Sequence, residues 1–479
     1  MNQDTTAALI REIASQLGHV PTDGQEKAMD MFTQFLADPD PKAVMILRGS
    51  AGTGKSSLAG AMVRAKRNMG RKMLLLAPTG RAAKVFSRKS GAAAFTIHRR
   101  IYREKVYTGL NGQFSLSDNL HRDTLFMVDE ASMIASGVNG GNEFGTGRLL
   151  DDLVRYVYQG QNDRLMLIGD QAQLPPVGEQ VSPALQTAAL VGYGLKVYEC
   201  DLTEVLRQGQ VSGILYNATL IRQMMASDVV NCLPKIRLAG FSDIERLSGT
   251  DLIETLAGSY GRMGEDETIV ITRGNKRANI YNQGIRNSVL DREDVLCSGD
   301  QVMIVKNNYY WTDGERDAPP FLANGDRAVV VRVRNMIELY GFHFCKATLR
   351  FPDYEDYELT ATLLLDTLTS ESPVLTREQS ERLFERVMED YADVPQKSEK
   401  LKMLRKDDYF NALQVKYAYA ITCHKAQGGQ WAHVYLDQGY MTDEMLSPDY
   451  VHWLYTAFTR ATEKLYLVNW PMSQADRSE

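Results

Sequence analysis

The sequence predicts an α/β protein organised on parallel sheet, in more than one folding unit, with a mostly β insertion. Three observations lead there. A continuous apolar run, residues 43–47, reads as a strand buried on both faces, and a glycine-rich turn and a helix follow it. Short apolar runs ending in polar or glycine turns recur at residues 72–77, 124–128, 164–168 and 268–271, between helical patterns. From about residue 300 that rhythm gives way to strand-like segments at 301–305, 327–333, 347–351 and 357–364. A charged helix follows at 377–388, and the α/β texture returns at 414–421, 433–436 and 464–468.

The chain's 479 residues exceed what one hydrophobic core organises, so several folding units are expected. Its five cysteines are scattered without a C-x-x-C pair, which argues against a disulfide framework or zinc site and fits a reducing, cytoplasmic setting. No apolar run reaches the ~18 residues of a membrane span, and no secretory pattern opens the sequence. A net charge of −6 does not advertise a nucleic-acid binder, but its distribution is uneven. Residues 1–110 hold 18 Lys and Arg against 8 Asp and Glu, which leaves the remainder at −16. A basic front part suits a polyanion held over one region of the surface. Residues 353–409 carry a net −7, so the outer surface of the β insertion does not grip phosphate strongly.

The first strand runs into Gly49-Ser50-Ala51-Gly52-Thr53-Gly54-Lys55-Ser56, which fits G-x-x-x-x-G-K-[ST]. Glycines there let backbone N–H groups converge on phosphate oxygens at a helix N-terminus that already favours anions. Gly49, Gly52, Thr53, Gly54, Lys55, Ser56 and Ser57 are the candidate nucleotide-binding residues. Lys55 would hold the outer phosphates, and the Ser56 hydroxyl would ligate Mg²⁺. Upstream, Gln25 would present its amide, donor and acceptor at once, to an adenine edge. Pro78 and Thr79 end the second strand at the sheet edge where α/β proteins bind ligands.

Leu125–Val128 ends in Asp129-Glu130. In a phosphate-loop protein the first carboxylate would hold Mg²⁺, and the second would orient and deprotonate the attacking water. Residues 101–120 read as a hairpin around Asn111-Gly112. The five glycines of 137–147 read as a mobile loop without an assigned role.

Taken together these motifs resemble the superfamily-1B helicases of the RecD-like and phage Dda-like branch, in order and over most of the chain. The resemblance rests on Gln25, the phosphate loop, APTGRAA at 77–83, TIH at 96–98, VDEAS at 128–132 and GDQAQLPPV at 169–177. It continues through LTEVLRQ at 202–208, ITRGNKRANIYN at 271–282, AYAITCHKAQG at 418–428 and LYTAFTRA at 454–461. It implies two RecA-like parallel-sheet lobes, 1A (residues 1–98 and 121–200) and 2A (201–295 and 412–479). A hairpin insertion, 1B (99–120), and a mostly β, SH3-like insertion, 2B (296–411), complete the implied architecture. It implies ATP and Mg²⁺ as cofactors, and an ATP-dependent motor moving 5′ to 3′ on single-stranded DNA and opening forked duplexes, beside unspecified replication or repair proteins.

By that resemblance Gln173 would sense the γ-phosphate, and Arg207 and Arg460 would reach it from the second lobe. Pro78, Thr79, His98, Thr422, His424 and Lys425 would lie along the strand, with Gln427 near the coupling path. Phe114 would be the wedge at the fork, with Tyr107 on the opposite arm as second choice and packing of the hairpin as the other role for Phe114. A translocase that remodels protein–DNA complexes, a helicase on RNA and a non-enzymatic ATP-binding scaffold stay open beside the motor.

Overall fold

The computed structural model describes residues 3–104, 114–137, 145–205, 212–226, 232–312, 318–319 and 321–476. The first lobe is a six-stranded, wholly parallel sheet. Its order is Ala94–Thr96, Met73–Ala77, Leu125–Val128, Arg164–Gly169, Ala43–Gly49 and Lys196–Leu202. The continuous apolar run in Ala43–Gly49 has a direct cause. Ala43, Met45 and Leu47 pack into one core with helices Asp23–Ala37 and Lys55–Asn68, while Val44 and Ile46 pack into the core on the opposite face. A strand covered on both sides needs no polar alternation.

The second lobe repeats the device. Five parallel strands run in the order Ile244–Leu247, Ala461–Val468, Trp431–Asp437, Thr268–Thr272 and Ala420–Thr422. Ile269, Ile271, Val434 and Leu436 face one core, and Val270, Tyr435 and Tyr466 face another. That second core continues without a break into a closed five-stranded barrel of Gln301–Ile304, Arg327–Leu339, Phe342–Phe351, Tyr357–Leu364 and Leu413–Tyr417. Helices Arg377–Asp390 and Lys397–Leu404 cover the barrel's end over Phe342, Phe344 and Leu364.

Two readings of the sequence change here. The run at 414–421, read as one strand of returning α/β texture, is two strands in two sheets. Leu413–Tyr417 closes the barrel and Ala420–Thr422 edges the second parallel sheet, so the barrel extends past residue 411. The chain switches sheets at Tyr419, whose hydroxyl accepts from Gln301 N (3.0 Å) and donates to the buried Asp300 Oδ1 (3.0 Å). The hairpin's described part is Tyr102–Glu104 paired antiparallel with Phe114–Leu116; its arm at 105–107 and its turn at Asn111-Gly112 lie outside the described residues, as does most of the glycine loop. Among the described residues no helix is long and apolar enough to cross a membrane.

Candidate nucleotide cleft and nucleic-acid groove

The phosphate loop sits at the C-terminal end of its strand, with Gly52 (φ 79°) and Gly54 (φ 77°) in the left-handed region that side chains avoid. Gly49 is needed for a different reason. A Cβ there would stand 2.7 Å from Thr53 Oγ1 and 3.1 Å from Leu202. Thr53 is buried and donates to Ser50 O (2.8 Å), so it shapes the loop from behind. Lys55, Ser56 and Ser57 follow at the start of helix Lys55–Asn68 and line a cleft of about 480 Å³ between the lobes.

Strand Leu125–Val128 runs into Asp129 and Glu130, of which Glu130 lines the same cleft. Glu130 adopts φ 53°, a left-handed backbone that costs a non-glycine residue ~1 kcal/mol or more, and it turns the second carboxylate into the cleft. Asp129 is buried, and its Oδ1 accepts from Glu130 N (2.9 Å). Burial, then the neighbouring Glu130 charge, pushes the Asp129 carboxyl up, against the pull of Lys55. A pair of adjacent carboxylates, the buried one within the field of Lys55 and the other lining the cleft with Ser56, is a donor set a Mg²⁺ ion fits.

From the second lobe Arg460 enters the cleft at 2% exposure, donating to Thr456 O (3.0 Å), Gly429 O (3.2 Å) and Thr459 Oγ1 (3.0 Å). Gln173 stands between the lobes. With its amide nitrogen toward Glu130 it donates to Glu130 Oε2 (3.2 Å), and its oxygen accepts from Arg460 Nη2 (3.1 Å). One chain of hydrogen bonds thus runs from the candidate base to the candidate charge stabiliser. Arg207 lies outside the described residues.

Sequence reasoning missed a neighbour of this chain. The buried Tyr455 hydroxyl, from the second lobe, accepts from Ala51 N of the phosphate loop (2.9 Å) and donates to Asp170 Oδ2 (2.7 Å). On the same helix, Pro448–Phe458, the hydroxyl of Thr456 accepts from Leu174 N (2.8 Å), and a ring nitrogen of His452 meets Ala172 O (2.9 Å). A signal existed: His452, Tyr455, Thr456 and Thr459 are polar at i, i+3, i+4 and i+7, a polar stripe on an otherwise apolar helix. Lys89, pushed down by burial, also lines the cleft and was not read from the sequence.

Gln25 is not where the sequence puts it. It is fully buried, its Oε1 accepts from Thr22 N (3.2 Å) in a capping box, and its Nε2 donates to Thr53 O (3.2 Å). Its amide braces the back of the phosphate loop and does not face the cleft.

A second cavity, about 460 Å³, opens between the lobes and the barrel and brings together Thr79, His424 and Lys425, with Gln427 and Arg327. Pro78 and Thr422 flank its lining in sequence. Thr79 Oγ1 caps helix Gly80–Ser90 by accepting from Ala82 N (3.2 Å). Lys425 donates to Asn324 of the barrel, and burial pulls its ammonium down to about 8. Gln427 Nε2 donates to Leu174 O (2.7 Å), which ties this groove to the nucleotide cleft through one residue.

His98 and Phe114 are not brought to that groove. His98 lies against Tyr102 and Phe321, with ring centroids 5.7 and 6.5 Å away, and burial holds its imidazole down to about 4, so it is neutral. Phe114 is 6% exposed and packs on Tyr309 (4.6 Å) and Phe321 (5.9 Å), both from the stretch between the first two barrel strands. The wedge reading of Phe114 is corrected accordingly. An aromatic ring in a hairpin strand gains more by burial than by exposure to solvent.

Residues 22–233 match the AAA domain family, and residues 417–468 match the UvrD-like helicase C-terminal domain family. The ATP-dependent RecD2 DNA helicase of Deinococcus radiodurans is 30% identical over 179 residues, 36% of this chain and 21% of that protein. An uncharacterized protein of Methanocaldococcus jannaschii is 35% identical over 171 residues, 33% of this chain and 14% of that one. The match thus takes in about a fifth or less of the length of these curated relatives. The crystal structure of Bacteroides Pif1 bound to ssDNA aligns over 96% of this chain and 95% of its own, at 15% identity and a TM-score of 0.47. The AAA match ends before the second parallel sheet begins and the helicase match falls within it, each carrying its half of one interlobe cleft. With those two matches in that order and a RecD2 relative in sequence, the chain is similar to ATP-dependent DNA helicases on both sides of the cleft.

Proposed function

We propose that the chain is an ATP-driven DNA helicase that moves 5′ to 3′ on single-stranded DNA and opens forked duplexes. The observation that carries this reading is the Glu130–Gln173–Arg460 hydrogen-bond chain across the cleft that the phosphate loop lines. Lys55 and the loop amides hold the phosphates, and Glu130 takes the proton of the attacking water. Arg460 balances charge as the terminal phosphoryl group leaves, which it does best when the lobes are closed. Ser56 and Asp129 would hold Mg²⁺, which when bound draws charge from the phosphate oxygens.

The strand would lie in the groove of Thr79, His424 and Lys425, where phosphate contacts give a grip independent of sequence. Gln427 and Leu174 would pass closure of the cleft to that groove. Strand displacement on 5′- and 3′-tailed duplexes of DNA and of RNA tests the reading. Separation of 5′-tailed DNA duplexes that needs hydrolysable ATP is expected. ATP hydrolysis without strand separation on any of the four would overturn the unwinding activity, and a preference for 3′ tails would overturn the direction.

A further inference from the structure

The first sheet has a second, smaller cavity, of about 130 Å³, at the end opposite the nucleotide cleft. It lies where strands Leu125–Val128 and Arg164–Gly169 begin and helix Lys55–Asn68 ends, and its walls bring together Lys66, Arg71 and Arg164. Lys66 is 7% exposed and Arg164 8%, so neither charge is solvated in the ordinary way. Among the described residues the Lys66 ammonium and the Arg71 guanidinium make no hydrogen bond and no ion pair. Arg164 spends its two terminal nitrogens on the carbonyls of Asp38 and Asp40. The nearby Asp38 carboxylate is taken by Lys196 (2.7 Å) and Tyr198. Asp123, the one acidic lining residue, is exposed at the rim and accepts from Asn162 (2.7 Å).

We propose that this cavity binds a phosphate-class oxyanion, gripped by Lys66 and Arg71 and backed by the charge of Arg164. An ammonium brings three donors and a guanidinium five, and both are unused, so the complementary ligand is small, multiply charged and rich in acceptors. The negative pole at the end of helix Lys55–Asn68 tempers the repulsion among the cations but accepts no hydrogen bond from either side chain. Burial beside Arg71 and Arg164 pulls Lys66 down to about 8, the opposite of what a paired ammonium shows. The helix that ends here begins at Lys55, so one rigid element joins this cavity to the phosphate loop. The proposal does not rest on the helicase reading.

The anion would be free orthophosphate or the phosphate of a monoester, and the two are distinguished by probe. The full chain carrying Lys55→Ala, which silences the nucleotide cleft, is titrated calorimetrically with sodium phosphate, and separately with 5′-AMP, at constant ionic strength against chloride. Saturable binding of orthophosphate is expected, weakened at least tenfold by Lys66→Met and severalfold by Arg71→Gln. Binding of 5′-AMP at equal or greater strength, with the same dependence on Lys66, identifies a monoester site. No saturable binding of either probe, or binding that both substitutions leave unchanged, overturns the proposal. Arg71 is exposed, so Arg71→Gln decides alone if Lys66→Met does not fold.

Discussion

The nucleotide cleft and the aromatic seam around Phe114 both join the first lobe to later parts of the chain, by opposite chemistry. Across the cleft the contacts are directional and replaceable: Tyr455 on Ala51 N and Asp170, Gln173 between Glu130 and Arg460. Phosphate oxygens and water offer those groups equivalent partners, so the lobes can exchange one set for another at little net cost. At the seam Phe114, Tyr309 and Phe321 bury ring against ring, and nothing in solution substitutes for that. If the chain works as the proposed motor, the first kind of contact lies where it moves and the second where it stays assembled. Substitutions in the cleft should therefore cost turnover without folding, and substitutions in the seam folding without turnover.

The largest separation is expected in the cleft. Glu130→Gln should bind ATP as wild type does and lose ~10²–10⁴-fold in turnover, with the melting temperature unchanged. Lys55→Ala should lose turnover as completely, with weaker nucleotide binding, measured by calorimetry beside the steady-state rate. Arg460→Lys, which keeps a charge but not the fork of donors, should retain ATP affinity and lose ~10³-fold in kcat. Wild-type hydrolysis by Glu130→Gln would move the base elsewhere.

Phe114→Ala tests the seam. Removing a buried aromatic ring costs ~3–5 kcal/mol, so a lowered melting temperature is expected while the folded fraction keeps its DNA-stimulated ATPase. Unchanged melting with selective loss of strand separation would mean that the ring leaves Tyr309 and Phe321 during work, and would restore the wedge.

These two regions also differ in how far the sequence reveals them. That the phosphate loop and Glu130 share a cleft is legible because contiguous residues and their local backbone place them, whereas Arg460 is brought there only by the resemblance. Gln25 and the wedge role of Phe114, whose alternative is packing, differ from the structure for one reason. A capping glutamine at the start of the helix before the phosphate-loop strand and an aromatic past a hairpin turn have side chains whose destination depends on residues far along the chain, Thr53 for one and Tyr309 for the other. The strand split at Tyr419 failed for a related reason: one apolar run serves two sheets, and periodicity does not mark where the chain changes partners.

Tyr455→Phe should give an intermediate effect and sharpen the account of the cleft. The ring still packs, but Asp170 Oδ2 and Ala51 N each lose a partner, and a hydrogen bond to a buried carboxylate is worth ~1.5–3 kcal/mol. Burial already pushes Asp170 up, so without its hydroxyl partner the carboxylate is held less firmly ionised. About a tenfold fall in single-strand-stimulated kcat is expected, with KM for ATP changed less than threefold, since the hydroxyl bridges lobes and does not itself hold nucleotide. Equal kinetics in Tyr455→Phe and wild type would reduce the contact to packing.

The smallest effect expected is at His98, and it reports whether the seam stays shut. Burial against Tyr102 and Phe321 holds the folded imidazole down to about 4, against ~6.5 in the unfolded chain. Between those values the unfolded chain binds more protons, so His98 contributes stability at pH 7 that is lost as pH falls through that window. His98→Phe keeps a ring in the cluster and removes the titration. The difference in unfolding free energy, wild type minus His98→Phe, should therefore fall by ~1–2 kcal/mol between pH 7 and pH 5, the other titrating groups cancelling. A flat difference would mean a solvated imidazole, the state that contact with a passing strand requires, and would return His98 to the nucleic-acid groove. Repeating the measurement with single-stranded DNA bound separates the two cases further: a closed seam gives the same pH dependence with and without the strand, and a strand-facing histidine does not.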